Sequence, residues 1–156
     1  MTKKKLIEKM AKDARRILIG VVFLILTTSY AFASPDFSGT WVLDSASGMG
    51  EVKGKVTIVI KQTNSTLSID RNTGRGVETA IHKLDGSESI NKLPSGKEKK
   101  SKSTWVGSTL VIKSTTDNIP STEIFSLSPD GKVLTIDSTI QAPSKEIKRK
   151  LTYKKQ

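Results

Sequence analysis

Residues 56–70, VTIVIKQTNSTLSID, decide the fold class of the chain. In the first half of this stretch apolar side chains occupy every second position, and after the turn residues Asn64 and Ser65 the alternation resumes with Leu67 and Ile69. A period of two is that of a β-strand with one buried face, and the β-branched residues Val, Ile and Thr favour strands. The stretch therefore predicts a β-hairpin.

The same pattern continues to the end of the chain. Short alternating runs end in turn sequences, of which Ser128-Pro129-Asp130-Gly131 is the clearest, and a last run follows the break at Ala142-Pro143. The runs predict about nine or ten strands with short connections, hence an antiparallel meander. The register within residues 85–103 stays open. We prefer closure into an all-β up-and-down barrel of about 8–10 strands to a two-sheet sandwich, because closure removes exposed sheet edges.

The first 33 residues differ in kind from the rest. Seven basic residues flank or precede an unbroken apolar run, Ile17 to Leu26, and Ala31-Phe32-Ala33 offers small residues at the two positions that a signal peptidase reads. This layout predicts a secretory signal helix in residues 1–33, cleavage after Ala33 and a barrel domain in residues 34–156. An uncleaved anchor is the alternative, although the apolar span is short against the roughly 20 residues that a bilayer requires. The predicted location is the periplasm or the extracellular space.

Composition narrows the function classes. The chain has no cysteine and one histidine, which excludes disulfides, thiolate metal sites, cysteine nucleophiles and multi-histidine metal sites. Removing the leader lowers the net charge from +11 to +6. No nucleophile elbow, phosphate loop or acidic metal motif is present. We expect the lone His82 to be a packing or surface residue, since a general base requires a nucleophile and an orienting group. The sequence therefore predicts no enzyme activity, no catalytic residue, no metal and no cofactor.

The predicted mature chain opens with Phe37-Ser38-Gly39-Thr40-Trp41, in which a glycine, one residue and a tryptophan begin the first strand. With the meander that follows, this motif resembles the opening of the calycins, the group that includes lipocalins, fatty-acid-binding proteins and avidins. Residues 37–155 as a whole resemble small exported bacterial lipocalin-like proteins of unassigned function. The resemblance implies a fold and leaves the ligand open.

The last strand places an arginine on an apolar face. Alternation puts Arg149 on the same side as Ile147, Leu151 and Tyr153. The resemblance to lipocalins implies that Arg149 lies across Trp41 and closes the end of the barrel through a cation–π contact. A solvated arginine is the alternative interpretation.

The inward faces of the barrel define a candidate binding site. Small hydroxyl residues beside a tryptophan leave room and offer hydrogen bonds, which suits a small, partly apolar or amphipathic ligand. We therefore predict an exported, non-catalytic lipocalin-like barrel that binds such a ligand in its lumen. A lumen filled by its own side chains is the competing interpretation. The residues predicted to line the site are Trp105, Ser101, Ser103, Ser114 and Ser138.

Two basic runs support an interaction module as the alternative function. Residues 97–102 hold four lysines, and residues 145–155 hold six basic residues. On one side of the barrel they would attract an envelope polyanion or a protein partner. Nucleic acid is not expected, because no aromatic residue interleaves with the first run. We expect membrane contact only through the signal segment before cleavage, and a monomeric protein.

Overall fold

The computed structural model describes residues 34–50, 54–73 and 76–156. The predicted signal helix and its cleavage after residue 33 lie outside the described residues and stay predictions. No helix in the described part is long and apolar enough to cross a membrane. The described part contains ten strands: β1 (Gly39–Ser47), β2 (Thr57–Gln62), β3 (Thr66–Asn72), β4 (Val77–Lys83), β5 (Ser89–Lys92), β6 (Glu98–Val106), β7 (Thr109–Thr116), β8 (Ile119–Leu127), β9 (Val133–Ala142) and β10 (Lys145–Lys155).

These strands form one antiparallel sheet in the order β4-β3-β2-β1-β10-β9-β8-β7-β6-β5. The first strand pairs with the last, with Trp41 opposite Lys155 and Leu43 opposite Tyr153. Every other neighbour in the sheet is also a neighbour in sequence, because each connection is short enough for adjacent strands to pair. The predicted all-β antiparallel meander is confirmed.

The barrel closes between β4 and β5, where side chains take the place of a backbone ladder. The Asn91 side-chain amide accepts a hydrogen bond from the Ile81 N–H at 2.7 Å and donates one to the Ile81 carbonyl at 2.9 Å. Ser89 Oγ accepts a hydrogen bond from the Lys83 N–H at 2.8 Å. These contacts produce a nearly closed barrel with one seam that no backbone ladder crosses.

One end of the interior is aromatic. Phe37, which precedes β1, stacks on Trp105 with ring centroids 5.8 Å apart and meets Phe125 edge-on at 6.0 Å. Trp41 Nε1 donates a hydrogen bond to the Phe37 carbonyl at 3.0 Å, which satisfies the indole in an apolar setting. Full burial of such a side chain contributes about 1.5–3 kcal/mol. The core around them is completed by Ile58, Ile60, Leu67, Ile69, Leu110, Ile112, Leu134, Ile136 and Tyr153.

The Gly-x-Trp motif has a steric cause in this fold. Gly39 has a φ of 143°, in the region that favours glycine, and a Cβ at this position would lie 2.7 Å from Lys155 Cε. Lys155 passes over the glycine and places its Nζ 5.2 Å from the centroid of the Trp41 ring. The missing side chain of Gly39 therefore leaves the space through which a cation reaches the tryptophan.

The predicted contact between Arg149 and Trp41 is wrong. Arg149 lies opposite Ser138, six positions before Lys155 on β10. At roughly 3.3 Å per residue, this separates Arg149 by about 20 Å along the strand from the position opposite Trp41. Alternation puts Arg149 and Lys155 on the same face of β10, and the register brings Lys155 to the ring.

Candidate functional site

An ion pair crosses the barrel interior, with the Glu123 side chain buried and the Arg71 side chain 25% exposed. Glu123 on β8 is 6% exposed and accepts a hydrogen bond from Arg71 Nη2 on β3 at 2.7 Å. Lys99 Nζ on β6 lies 3.6 Å from the other carboxylate oxygen of Glu123. Strands β3 and β8 are five positions apart in the ten-strand order, so the Arg71–Glu123 pair joins opposite walls. Two cations from different walls thus converge on one carboxylate.

The cations keep the carboxylate charged inside the protein. Burial by itself raises the pKa of Glu123, but Arg71 and then Lys99 outweigh burial and lower that pKa to about 2. The same pairing with Glu123 raises the pKa of Arg71. Glu123 is therefore ionised at neutral pH and depends on its partners, because an unpaired buried charge is strongly unfavourable.

His82 lies buried beside this ion pair. Its Nδ1 is 3.0 Å from Ser101 Oγ. Burial lowers the pKa of His82 to about 4, although Glu123 acts in the opposite direction, so the imidazole is neutral at pH 7. A hydroxyl, an imidazole and a carboxylate are thus close together, and Ser101, His82 and Glu123 are all buried. The arrangement supports a packed polar network, in keeping with the packing role expected for His82.

The predicted serines share one inner wall. Register places serines directly opposite one another across four neighbouring strands, β5 to β8. Ser138 on β9 lies between Glu123 and Arg149 on the neighbouring strands. Buried aliphatic side chains lie on β2 and β3 and also on β7, so the interior combines hydroxyl groups with apolar side chains. The cross-strand serine row consists of Ser89, Ser101, Ser114 and Ser121.

Three buried polar atoms in the described part of the chain have no hydrogen-bond partner within the protein. They are Ser103 Oγ, Ser114 Oγ and Arg149 Nε. Ser103 is 1% exposed and Ser114 is 5% exposed. A buried polar group without a partner costs about 1–3 kcal/mol, and native structures almost always supply one from protein, water or ligand. These atoms are therefore free to hydrogen-bond to water or to a bound molecule.

The open space beside the ion pair is small. A cavity of about 10 Å³ lies among residues that include Arg71, His82 and Glu123. That is close to the space one water requires. Trp105 belongs to the aromatic end, where Phe37 covers one face of its ring. The structure thus puts the four predicted serines on the inner wall and packs Trp105 against Phe37, a residue outside the strands that alternation does not reach.

A larger cavity of about 350 Å³ lies at the rim of the barrel. It forms where β1 departs from β2 beyond the bulge between Leu43 and Ser45. Its lining includes Leu43, Met49 and Val56 but none of the three buried atoms without a partner. The polar groups that require a partner are in the lumen, and we place the candidate site there.

Arg71 and Glu123 are not among the residues predicted to form the site, although the sequence carries a signal for both. Glu123 alternates with Ser121 and Phe125, and Arg71 follows Ile69 at the same spacing, so both charges fall on inward faces. Like Arg149, Arg71 and Glu123 are charged residues on an apolar face. Alternation cannot predict that they pair, because the pairing depends on which walls of the barrel face each other.

Solved structures share this architecture. The chain is similar to the wild-type fluorescent protein UnaG, with 17% identity, a TM-score of 0.61 and coverage of 77% of this chain and 97% of that one. It is similar to zebrafish ileal bile acid-binding protein complexed with cholic acid, with 20% identity, a TM-score of 0.62 and coverage of 77% and 98%. Human cRBP IV matches with 19% identity, a TM-score of 0.61 and coverage of 78% and 99%.

The chain has the calycin-type β-barrel fold. This confirms, for the fold, the resemblance based on residues 37–41. At these identities the likeness concerns the fold alone, since one calycin barrel can serve unrelated functions. No protein-family model and no curated protein sequence matches the chain.

Proposed function

We propose that this calycin-type barrel is a non-catalytic binding protein that takes a small amphipathic molecule into its lumen. The observation that carries the proposal is the set of buried atoms without a partner, Ser103 Oγ, Ser114 Oγ and Arg149 Nε. Polar groups of a ligand supply the missing hydrogen bonds, while the buried aliphatic side chains of β2, β3 and β7 contact its hydrocarbon part.

A lumen that holds both hydroxyl groups and apolar side chains favours an amphipathic ligand. Serines pair across β5 to β8, and buried aliphatic side chains lie on β2, β3 and β7. Cholic acid, present in the zebrafish structure, is a steroid with hydroxyl groups on one face and a carboxylate at one end. It is therefore the first probe for this chain.

A ligand of that size requires the barrel to widen, because the cavity at the ion pair holds about 10 Å³. The seam between β4 and β5 is the structural element suited to widening. Its hydrogen bonds come from the side chains of Asn91 and Ser89, which can rotate away without breaking a backbone ladder. We propose that the lumen opens at this seam.

The proposal includes export of the protein. The basic leader, the apolar run from Ile17 to Leu26 and the small residues at Ala31 and Ala33 support removal of residues 1–33 and function in the periplasm or outside the cell. Intact mass of the protein recovered from its native compartment tests this directly. A mass that retains the leader contradicts the proposed cleavage.

Binding is tested by calorimetric titration of the purified protein with cholate and with palmitate. The decisive variant is Ser103→Ala/Ser114→Ala, which removes two of the atoms that require a partner. We expect this variant to be as stable as the wild type or more stable, and to bind cholate at least about tenfold more weakly, because it lacks two hydrogen bonds to the ligand.

Thr104→Ala is the matched control, since Thr104 lies on the same strand and faces outward. We expect its affinity for cholate to equal that of the wild type. The proposal fails if neither probe binds and native mass spectrometry detects no small molecule carried by the purified protein. In that case ordered water completes the hydrogen bonding of the lumen.

A further inference from the structure

We propose that the outer face around the β4–β5 seam docks on an anionic lipid bilayer. This seam face consists of an apolar centre, Val77, Ile81 and Ile90, and a basic rim, Lys83, Lys100, Lys102 and Lys113. The inference concerns the outside of the barrel and does not depend on a ligand in the lumen.

The apolar centre is exposed, and the closure of the barrel brings two of its members, Ile81 and Ile90, together. Val77 is 60%, Ile81 50% and Ile90 58% exposed, and they account for three of the six large exposed hydrophobic residues in the described part. Ile81 and Ile90 come from strands at opposite ends of the sheet order. They become neighbours because Asn91, next to Ile90, bonds to the backbone of Ile81. Val77 lies on the same outward side of β4, four residues before Ile81, and exposed apolar side chains grouped on one face indicate an interaction surface.

No lysine of the basic rim forms a salt bridge in the described protein, although Lys83 interacts electrostatically with the carboxylate of Asp85. Lys100 lies directly across from Ile90, and Lys102 directly across from Lys113. The ion pairs of the described residues use other cations, namely Arg71, Lys97, Lys99, Lys148 and Lys154. Three acidic residues lie on or beside this face: Asp85, Glu88 just before β5, and Glu98 on the outward face of β6.

Two lysines directly opposite on neighbouring strands repel each other and destabilise the sheet. The Lys102–Lys113 pair therefore favours an external counter-charge that lies over both strands. Anionic headgroups provide such a charge as an extended surface, and each lysine near that surface contributes independently.

A bilayer accounts for both parts of the seam face. Its headgroups attract the lysines, while the boundary below them accepts isoleucine and valine side chains. A nucleic acid would use the lysines and leave the apolar centre without a partner, and the described seam face has no aromatic side chain for base stacking. A protein partner would require roughly 800 Å² of complementary surface, which three apolar side chains do not provide by themselves.

Vesicle sedimentation tests the proposal, with phosphatidylcholine vesicles containing one-quarter phosphatidylglycerol and with pure phosphatidylcholine vesicles as the comparison. We expect the wild type to bind the anionic vesicles at low salt and to bind neutral vesicles at least about tenfold more weakly. Ile81→Ser/Ile90→Ser and Lys102→Glu/Lys113→Glu are each expected to weaken binding to anionic vesicles at least about tenfold.

Lys61→Glu/Lys150→Glu is the control, because it changes the net charge by the same amount at outward positions on β2 and β10. We expect it to weaken binding less than threefold, and thermal unfolding verifies that each variant is folded. If Lys102→Glu/Lys113→Glu and Lys61→Glu/Lys150→Glu weaken vesicle binding equally, the attraction is diffuse and the proposal is overturned. Retained binding by the isoleucine variant, or equal affinity of the wild type for heparin, indicates a polyanion surface and also overturns it.

Discussion

The aromatic end and the ion-pair region occupy the same lumen but are stabilised in opposite ways. At the aromatic end Phe37, Trp41 and Phe125 are fully buried, and the indole donor Trp41 Nε1 is satisfied by a backbone carbonyl. Around Glu123 the side chains are charged and tolerate burial only through one another. Loss of apolar contact weakens the first region, whereas loss of one partner leaves a buried charge in the second.

The largest effect is expected for Trp41→Ala. This substitution leaves a cavity where a fully buried indole contacts the core, and we expect a loss of about 3–5 kcal/mol in the free energy of unfolding. Urea denaturation at pH 7 measures it. Val42→Ala on the outward side of β1 is the control, expected to cost less than about 1 kcal/mol. Similar values for the two variants would show that the aromatic end is not the core of the barrel.

Glu123→Gln probes the ion-pair region and is expected to cost about 3 kcal/mol at pH 7, because Arg71 and Lys99 keep their charge without the carboxylate. The pKa of Glu123 is about 2 in the folded protein and 4.5 ordinarily. Its stabilisation is therefore complete above about pH 5 and disappears as the pH falls toward 2.

His82 affects the stability of the fold at higher pH than Glu123 does. Its pKa is about 4 in the folded protein against 6.5 ordinarily, so the neutral ring stabilises the fold above about pH 6.5 and this contribution disappears as the pH falls through 4. Urea midpoints at pH 7.5, 5 and 3 separate the two windows. Glu123→Gln should lose less stability than the wild type between pH 5 and 3. An equal loss in both proteins would show that Glu123 does not contribute to the loss of stability at low pH.

The same contrast explains what the sequence could predict. Alternation is local, so it identifies the strands, the meander and the inward face on which Ser101, Ser103 and Ser114 lie. Alternation does not give the position of a residue along the barrel axis, which depends on register and on the bulge after Leu43. It therefore gives the correct face for Arg149 but not the distance between Arg149 and Trp41. The pairing of Arg71 with Glu123 depends on which walls face each other, and Phe37 enters the core from outside any strand.

The smallest expected effect on stability distinguishes two cations of β10: Lys155 at the aromatic end and Arg149 in the ion-pair region. Lys155→Met removes the charge above Trp41 but keeps an unbranched chain over Gly39, so the expected loss is the exposed cation–π contribution, about 0.5–1 kcal/mol. Arg149→Met removes a buried guanidinium nitrogen that has no partner, so stability should be unchanged or slightly higher.

Urea denaturation of both variants in a Trp105→Phe background, where Trp41 is the remaining tryptophan, measures stability and the emission of that ring together. Only Lys155→Met should shift the emission maximum. Both substitutions replace a long cation by an unbranched apolar side chain, so their difference reports position along β10 rather than loss of charge. A larger cost for Arg149→Met, accompanied by the emission shift, would restore Arg149 as the partner of Trp41 and contradict the register of β1 with β10.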